Sequence, residues 1–123
     1  MILLFLFCLF QQPSEQVIRY LEFLQEEERE LRFQLARDEL TWKDYRLAQD
    51  KIAILKRLVE GYGRSGQPLP ELYVVTQEEM LDFVPDKKRL KRLRRGDSVG
   101  EKWKFLKRVY RNATHYFVLE NRQ

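Results

Sequence analysis

The residues with the clearest chemical potential are seven cations within nine positions, in the segment KKRLKRLRR at residues 87–95, here called the basic run. Cations at this density bind phosphates, acidic lipid head groups or acidic protein surfaces by charge attraction. Leu90 and Leu93 are three residues apart, which favours a short helical turn and leaves a strand as the alternative. The run is therefore an anion contact or a solvated segment whose leucines reach a core. The candidate contact residues are Lys87, Lys88, Arg89, Lys91, Arg92, Arg94 and Arg95.

Other reactive side chains are too few to form a catalytic or metal centre. The chain has one cysteine, Cys8, and one histidine, His115. Structural zinc sites take four ligands, mostly Cys and His, and catalytic sites need a nucleophile beside a base or carboxylates that converge in a cleft. The acidic residues fall instead on predicted helix surfaces. We therefore expect no enzyme activity, metal, cofactor or small-molecule substrate.

Two amphipathic helices are predicted within residues 13–60, because apolar residues recur at steps of three, four or seven. The first helix follows Ser14 as N-cap, and the second follows Thr41 and ends at Gly61–Gly63. Only residues 38–40 separate them, so the helices must be antiparallel neighbours. The predicted apolar stripes are Val17, Tyr20, Leu21, Leu24, Leu31 and Leu35 in the first helix, and Tyr45, Ala48, Ile52, Leu55 and Val59 in the second.

Leu47, Ile54 and Leu58 widen the second stripe. Each stripe is broad enough that we expect one partner helix to leave part of it uncovered. Such surplus apolar surface would contact the C-terminal region, a second copy of the chain or another protein, in a coiled-coil-like arrangement. The candidate interface residues are Trp42, Leu47, Ile54 and Leu58.

Residues 1–12 form an apolar leader that begins MILLFLFCLF. Ten apolar residues are too few to span a bilayer and match the core of a signal peptide in length. No Lys or Arg precedes them, however, and no small-residue cleavage site follows. Three interpretations stay open: a secretory signal, a short membrane-interface anchor, and a core segment packed on the hairpin. The first two place the protein in the periplasm, the cell envelope or at a membrane, and the third keeps it in the cytoplasm.

The C-terminal part follows a predicted Gly/Pro linker at residues 61–70. Residues 72–76, 103–110 and 114–120 are β-prone, and Arg111–Ala113 is the predicted turn of a β-hairpin. Thr76 and Glu79 have the spacing of a capping box that begins a short helix. Along the second strand, one face is predicted to carry Trp103, Phe105, Lys107 and Val109.

The predicted fold class is α+β, with an N-terminal antiparallel α-helical hairpin followed by a small C-terminal antiparallel β-sheet of three to four short strands. Residues 71–123 form a small basic α/β unit in this scheme. The net charge of +4 is unevenly distributed, since residues 14–60 hold 9 Lys and Arg against 11 Asp and Glu, and residues 61–123 hold 14 against 8. The basic half is thus the part expected to meet an anionic partner.

Three functions fit these features. The first is a non-catalytic interaction module, exported or tethered to the cell envelope, whose hairpin associates with itself or with a protein partner. The second is a cytoplasmic nucleic-acid or anionic-surface binder that acts through the basic run. The third is a peripheral membrane protein, held on anionic lipid by the leader and the basic run together.

Overall fold

The computed structural model describes residues 14–122 and divides into two compact units, with the division between Leu69 and Pro70. The first unit contains α1 (Glu15–Ala36) and α2 (Trp42–Ser65). The second contains β1 (Glu71–Thr76), α3 (Gln77–Phe83), α4 (Lys87–Arg92), β2 (Ser98–Val99), β3 (Trp103–Arg111) and β4 (Thr114–Asn121). The predicted α+β class, a helical hairpin followed by an antiparallel sheet, is confirmed. The leader lies outside the described residues.

The hairpin begins and turns as its sequence predicts. The Ser14 hydroxyl accepts a hydrogen bond from the Val17 amide at 3.2 Å, and the Thr41 hydroxyl accepts one from the Asp44 amide at 3.1 Å. These bonds satisfy amides that the first turn of a helix leaves without a partner. Between the helices, Asp38 adopts a left-handed conformation with φ 58°. The most deeply buried positions of the two predicted stripes are Val17, Leu24 and Val59, with Ile54 beside them.

Arg37 holds the connecting turn through ion pairs. Its guanidinium donates to both carboxylate oxygens of Glu39, at 2.9 and 3.2 Å, and lies 3.4 Å from a carboxylate oxygen of Glu30. Glu39, through its hydrogen bond, is the main cause that raises the pKa of Arg37 above the ordinary arginine value. Because these side chains are exposed to water, the pairs contribute little stability.

The end of α2 differs from the predicted one. The helix continues through Gly61 and Gly63 to Ser65, and Gly66 takes the left-handed C-cap conformation with φ 69°. Tyr62 lies three residues after Val59 and is 9% exposed, so the apolar stripe extends one turn further than predicted. Packing of this extra turn offsets the roughly 1 kcal/mol that each helical glycine costs. Half of the predicted linker at residues 61–70 is therefore helix.

The second unit is a four-stranded antiparallel sheet with the strand order β1-β4-β3-β2. The Thr76 hydroxyl accepts a hydrogen bond from the Glu79 amide at 3.2 Å and the Glu79 carboxylate reaches back to the Thr76 amide at 3.4 Å, which confirms the predicted capping box of α3. Residues of α3 and α4 pack on one face of the sheet, here called the helix-covered face. Its core is formed by Val75, Met80, Val84, Leu90, Leu93, Val99, Phe105, Phe117 and Leu119.

One predicted face of β3 is wrong because the strand contains a β-bulge. Phe105 pairs with Leu119 and Lys107 pairs with Val118, so Leu106 is an extra residue in the ladder. A single extra residue exchanges the two faces of the strand beyond it. Lys107 and Val109 therefore lie on the face opposite Phe105, contrary to the prediction that placed them together. Both Phe105 and Leu106 are buried, at 2% and 7% exposed.

The turn between β3 and β4 has two residues rather than the predicted three. Arg111 pairs with Thr114, and Asn112 and Ala113 between them have φ 49° and 61°. Two positive φ values are typical of a type I′ hairpin turn, in which Asn is favoured first and Gly second. Ala113 therefore occupies a position where its Cβ is unfavourable.

We expect Ala113→Gly to stabilise the protein by about 0.5–1 kcal/mol, because it removes this clash at some cost in unfolded-state entropy. Urea denaturation followed by circular dichroism measures the change. Ala53→Gly, in the interior of α2, is the matched control and should destabilise by about 1 kcal/mol. A loss of stability in the Ala113 variant would contradict the left-handed conformation.

Candidate anion-binding site

Most of the basic run forms the short helix α4. Asp86 caps the helix by accepting a hydrogen bond from the Lys88 amide at 2.9 Å. Leu90 and Leu93 are 3% and 5% exposed, and both belong to the core of the helix-covered face. The helical alternative predicted from their spacing is therefore the one that the structure adopts. The fourth strand of the sheet comes instead from Ser98–Val99.

Arg108 attaches the carboxyl end of this helix to the sheet. One of its terminal nitrogens donates to the Leu93 carbonyl at 3.1 Å, and the other donates to the Leu90 carbonyl. The guanidinium carbon lies 5.0 and 5.7 Å from the ring centres of Phe105 and Phe117. Carbonyls at a helix end lack partners within the helix, and a cation there is favourable. Arg108 thus fastens α4 to the sheet.

The seven cations of the basic run are all exposed. Within residues 14–122, none of them forms an ion pair with a carboxylate, whereas Lys102 pairs with Glu71 and Arg37 with Glu39. Arg89 donates to the Ser98 carbonyl at 3.3 Å, a contact that leaves its positive charge uncompensated. The structure therefore displays seven cations on one anchored segment, and none of their side chains pairs with a carboxylate. The two flanking acids, Asp86 and Asp97, instead accept hydrogen bonds from the Lys88 and Arg94 amides.

The candidate interface residues of the hairpin differ widely in exposure. Trp42 is 74% exposed and makes an edge contact with Tyr45, with ring centres 5.9 Å apart. Ile54 is only 5% exposed, and Leu47 and Leu58 are half-buried. The four residues therefore do not form one continuous exposed surface. Other large apolar side chains of the hairpin are exposed, and lie outside the predicted stripes: Ile18, Phe23 and Phe33.

An exposed aromatic pair at the turn end of the β3–β4 hairpin was not predicted as a site. Tyr110 and His115 face each other across the β3–β4 ladder, and their ring centres are 4.7 Å apart. Tyr110 is 66% exposed, and His115 is exposed as well. The sequence places both residues in strands, but only a two-residue turn at residues 112–113 puts them opposite each other. The predicted three-residue turn gave a different register, so the sequence did not indicate that these two residues pair.

No family model, curated protein or solved structure matches this chain. Across residues 14–122, no helix is long and apolar enough to cross a membrane. The same residues contain no group of three or more His, Cys, Asp or Glu side chains placed to hold a metal ion. Export, anchoring and cytoplasmic retention, which depend on residues 1–12, stay predictions.

Asp50 is a buried residue that was not predicted from the sequence. It is 2% exposed, and it is the one charged side chain among the buried residues that the structure describes. Its position between Leu47 and Ile54, at steps of three and four, could have marked it as inward-facing. Asp50 has an interaction partner in the structure, as buried carboxylates require. Nothing about it indicates a ligand.

Proposed function

We propose that this protein is a non-catalytic binding module that holds a polyanionic partner through the basic run. The observation that supports this proposal is the set of seven exposed, unpaired cations in the basic run, five on α4 and two just after it, in a segment that Leu90, Leu93 and Arg108 fasten to the sheet. Ordinary protein surfaces intersperse both signs of charge, whereas residues 87–95 contain no acidic residue. Because the helix is already ordered, binding a partner costs less conformational entropy than it would for a flexible basic tail.

The exposed side chains and the length of α4 indicate which kind of polyanion it could contact. Both apolar residues of the run, Leu90 and Leu93, face the core, so the helix offers no apolar side chain for insertion into a membrane interface. With six residues it is also short for a helix that reads base edges in a groove. The exposed groups are charged donors, which suit repeated phosphates rather than one particular base sequence.

The test is a titration of the full chain with inorganic polyphosphate at several salt concentrations. Each phosphate contact releases bound counterions, so about seven contacts should lower the association constant on the order of a thousandfold between 50 and 200 mM salt. Fluorescence anisotropy of end-labelled polyphosphate measures the constant. Binding that is independent of salt, or no binding at 50 mM, would argue against the proposal.

A second candidate function is association of two copies of the chain through their hairpins. Its supporting observation is the exposure of Phe23 and Phe33, at 55% and 53%, together with Trp42. The two helices also carry opposite charge: α1 has six acidic and three basic residues, and α2 has three acidic and six basic residues. An acidic α1 in one copy complements a basic α2 in the other. This candidate suits an exported or envelope-tethered protein, whereas a nucleic-acid partner requires the cytoplasm.

Sedimentation velocity measures this association directly. We expect a dimer at micromolar concentrations that the double variant Phe23→Ser, Phe33→Ser converts to monomer, because both rings would lose a buried apolar contact. Tyr110→Ser, an equally exposed aromatic position in the other unit, should leave the dimer intact. A wild-type chain that sediments as a monomer at 100 μM, a concentration far above that of ordinary dimer dissociation, would exclude this candidate.

A further inference from the structure

The proposed function leaves the identity of the polyanion open, and the aromatic pair of Tyr110 and His115 bears on it. Residues two apart on a strand point to the same face, about 7 Å from each other. Arg108 pairs with Phe117 in the ladder, and Tyr110 pairs with His115 two residues further on. The aromatic pair therefore lies on the helix-covered face, directly beyond the Arg108–Phe117 row.

The carboxyl end of α4 lies at that same row. The Arg108 guanidinium donates to the carbonyls of Leu90 and Leu93, and it lies over the rings of Phe105 and Phe117. Arg94 and Arg95 follow Leu93 directly and are both exposed. The Gly96 amide donates to the Phe105 carbonyl, so Arg94 and Arg95 lie beside Phe105, five residues before Tyr110 in β3. The exposed cations and the exposed rings thus lie along the same strand, roughly 15 Å apart, a separation that a strand of several nucleotides can span.

This combination matches the chemistry of a nucleotide in a single strand. Such a nucleotide offers a phosphate for the cations and a flat base whose face is free to stack on an aromatic ring. In a duplex, the bases stack on each other and their faces are not accessible. An anionic membrane offers phosphates without bases, and α4 has no exposed apolar residue to insert into it.

We propose that the basic run and the Tyr110–His115 pair form a binding site for single-stranded nucleic acid, in which the cations contact phosphates and a base stacks on the aromatic pair. The inference rests on the proposed function, because stacking alone would not hold a polyanion. It adds a preference that charge cannot supply: the chain should bind strands with bases more tightly than equally charged strands without them.

The experiment compares two labelled probes of about 12 nucleotides, within the range of known single-strand sites. One is oligothymidylate, and the other is the same backbone without bases. Anisotropy titrations with the full chain at low salt give both dissociation constants. We expect Tyr110→Ala to weaken oligothymidylate binding on the order of tenfold, and binding of the abasic probe less than twofold. Tyr110→Phe keeps the ring and should retain wild-type affinity.

Trp42→Ala is the matched control, since Trp42 is an exposed aromatic residue in the other unit. It should change neither constant, and circular dichroism checks that each variant is folded. Equal affinity of the wild type for both probes, with no effect of Tyr110→Ala, would overturn the stacking inference and leave the polyanion proposal standing. Failure of both probes and of polyphosphate to bind would overturn the proposed function itself. Tighter binding to phosphatidylserine vesicles than to oligothymidylate, at equal phosphate, would overturn the inference in favour of a membrane.

Discussion

Replacing Lys88, Lys91 and Arg92 together with glutamate is expected to lower the affinity for polyphosphate on the order of a thousandfold at 50 mM salt. The substitution leaves four cations and three anions in the basic run, so its local charge falls from +7 to +1. The favourable release of counterions then nearly disappears, and the salt dependence should become shallow. None of the three side chains makes a hydrogen bond or ion pair within residues 14–122, so the fold should be retained.

The control for this variant changes the same total charge elsewhere. Arg32, Lys43 and Arg57 are exposed cations of the hairpin that likewise make no hydrogen bond or ion pair in the described part of the chain. Their replacement by glutamate gives a chain of identical net charge. If binding depends on the basic run, this control should lose only the modest affinity due to long-range attraction. Equal losses in both variants would mean that overall charge, and not this site, attracts the polyanion.

Leu90→Asp should unfold the sheet unit. Loss of a buried leucine costs about 2–5 kcal/mol, and a carboxylate without a partner in that core costs several more. Leu90 is 3% exposed and belongs to the same core as Val75, Phe105 and Phe117. The total is comparable with the entire folding free energy of a small unit, which is on the order of 5 kcal/mol. Loss of dispersed methyl signals from the core valines in NMR spectra would report the unfolding.

Lys91→Asp provides the comparison, because residue 91 follows Leu90 in the same helix but is exposed. The free energy of unfolding of this variant should lie within about 1 kcal/mol of the wild-type value. A folded Leu90→Asp chain would show that the basic run is a detached strip whose leucines are not part of the core. The two aspartate variants thus separate a loss of binding caused by charge from one caused by unfolding.

The features that could be predicted from the sequence are those determined by local chemistry. Ser14, Thr41 and Thr76 accept hydrogen bonds from amides three residues ahead, and that arrangement is visible in the sequence as residue type and spacing. The apolar steps of α1 and α2 likewise follow from helix periodicity. The short connection at residues 38–40 then leaves an antiparallel hairpin as the compact arrangement.

The features that could not be predicted depend on contacts between distant residues or on the register of a strand. No glycine or proline near Leu106 indicates a bulge in the sequence. The bulge nevertheless determines that Arg108 and Tyr110 lie on the face that carries α4. The bonds from Arg108 to the Leu90 and Leu93 carbonyls join segments 15 and 18 residues apart. Nothing in the order of residues distinguishes this arginine from the cations of the basic run.

The six-residue length of α4 has a consequence for proteolysis. A helix so short is not stable by itself in water, so it persists only while its leucines and Arg108 hold it to the sheet. Its cations make it the densest target for trypsin in the chain, and cleavage there requires local opening. A polyanion bound to the folded helix would oppose that opening in proportion to its occupancy. The segment proposed to capture a partner would therefore be protected from degradation by the partner it captures.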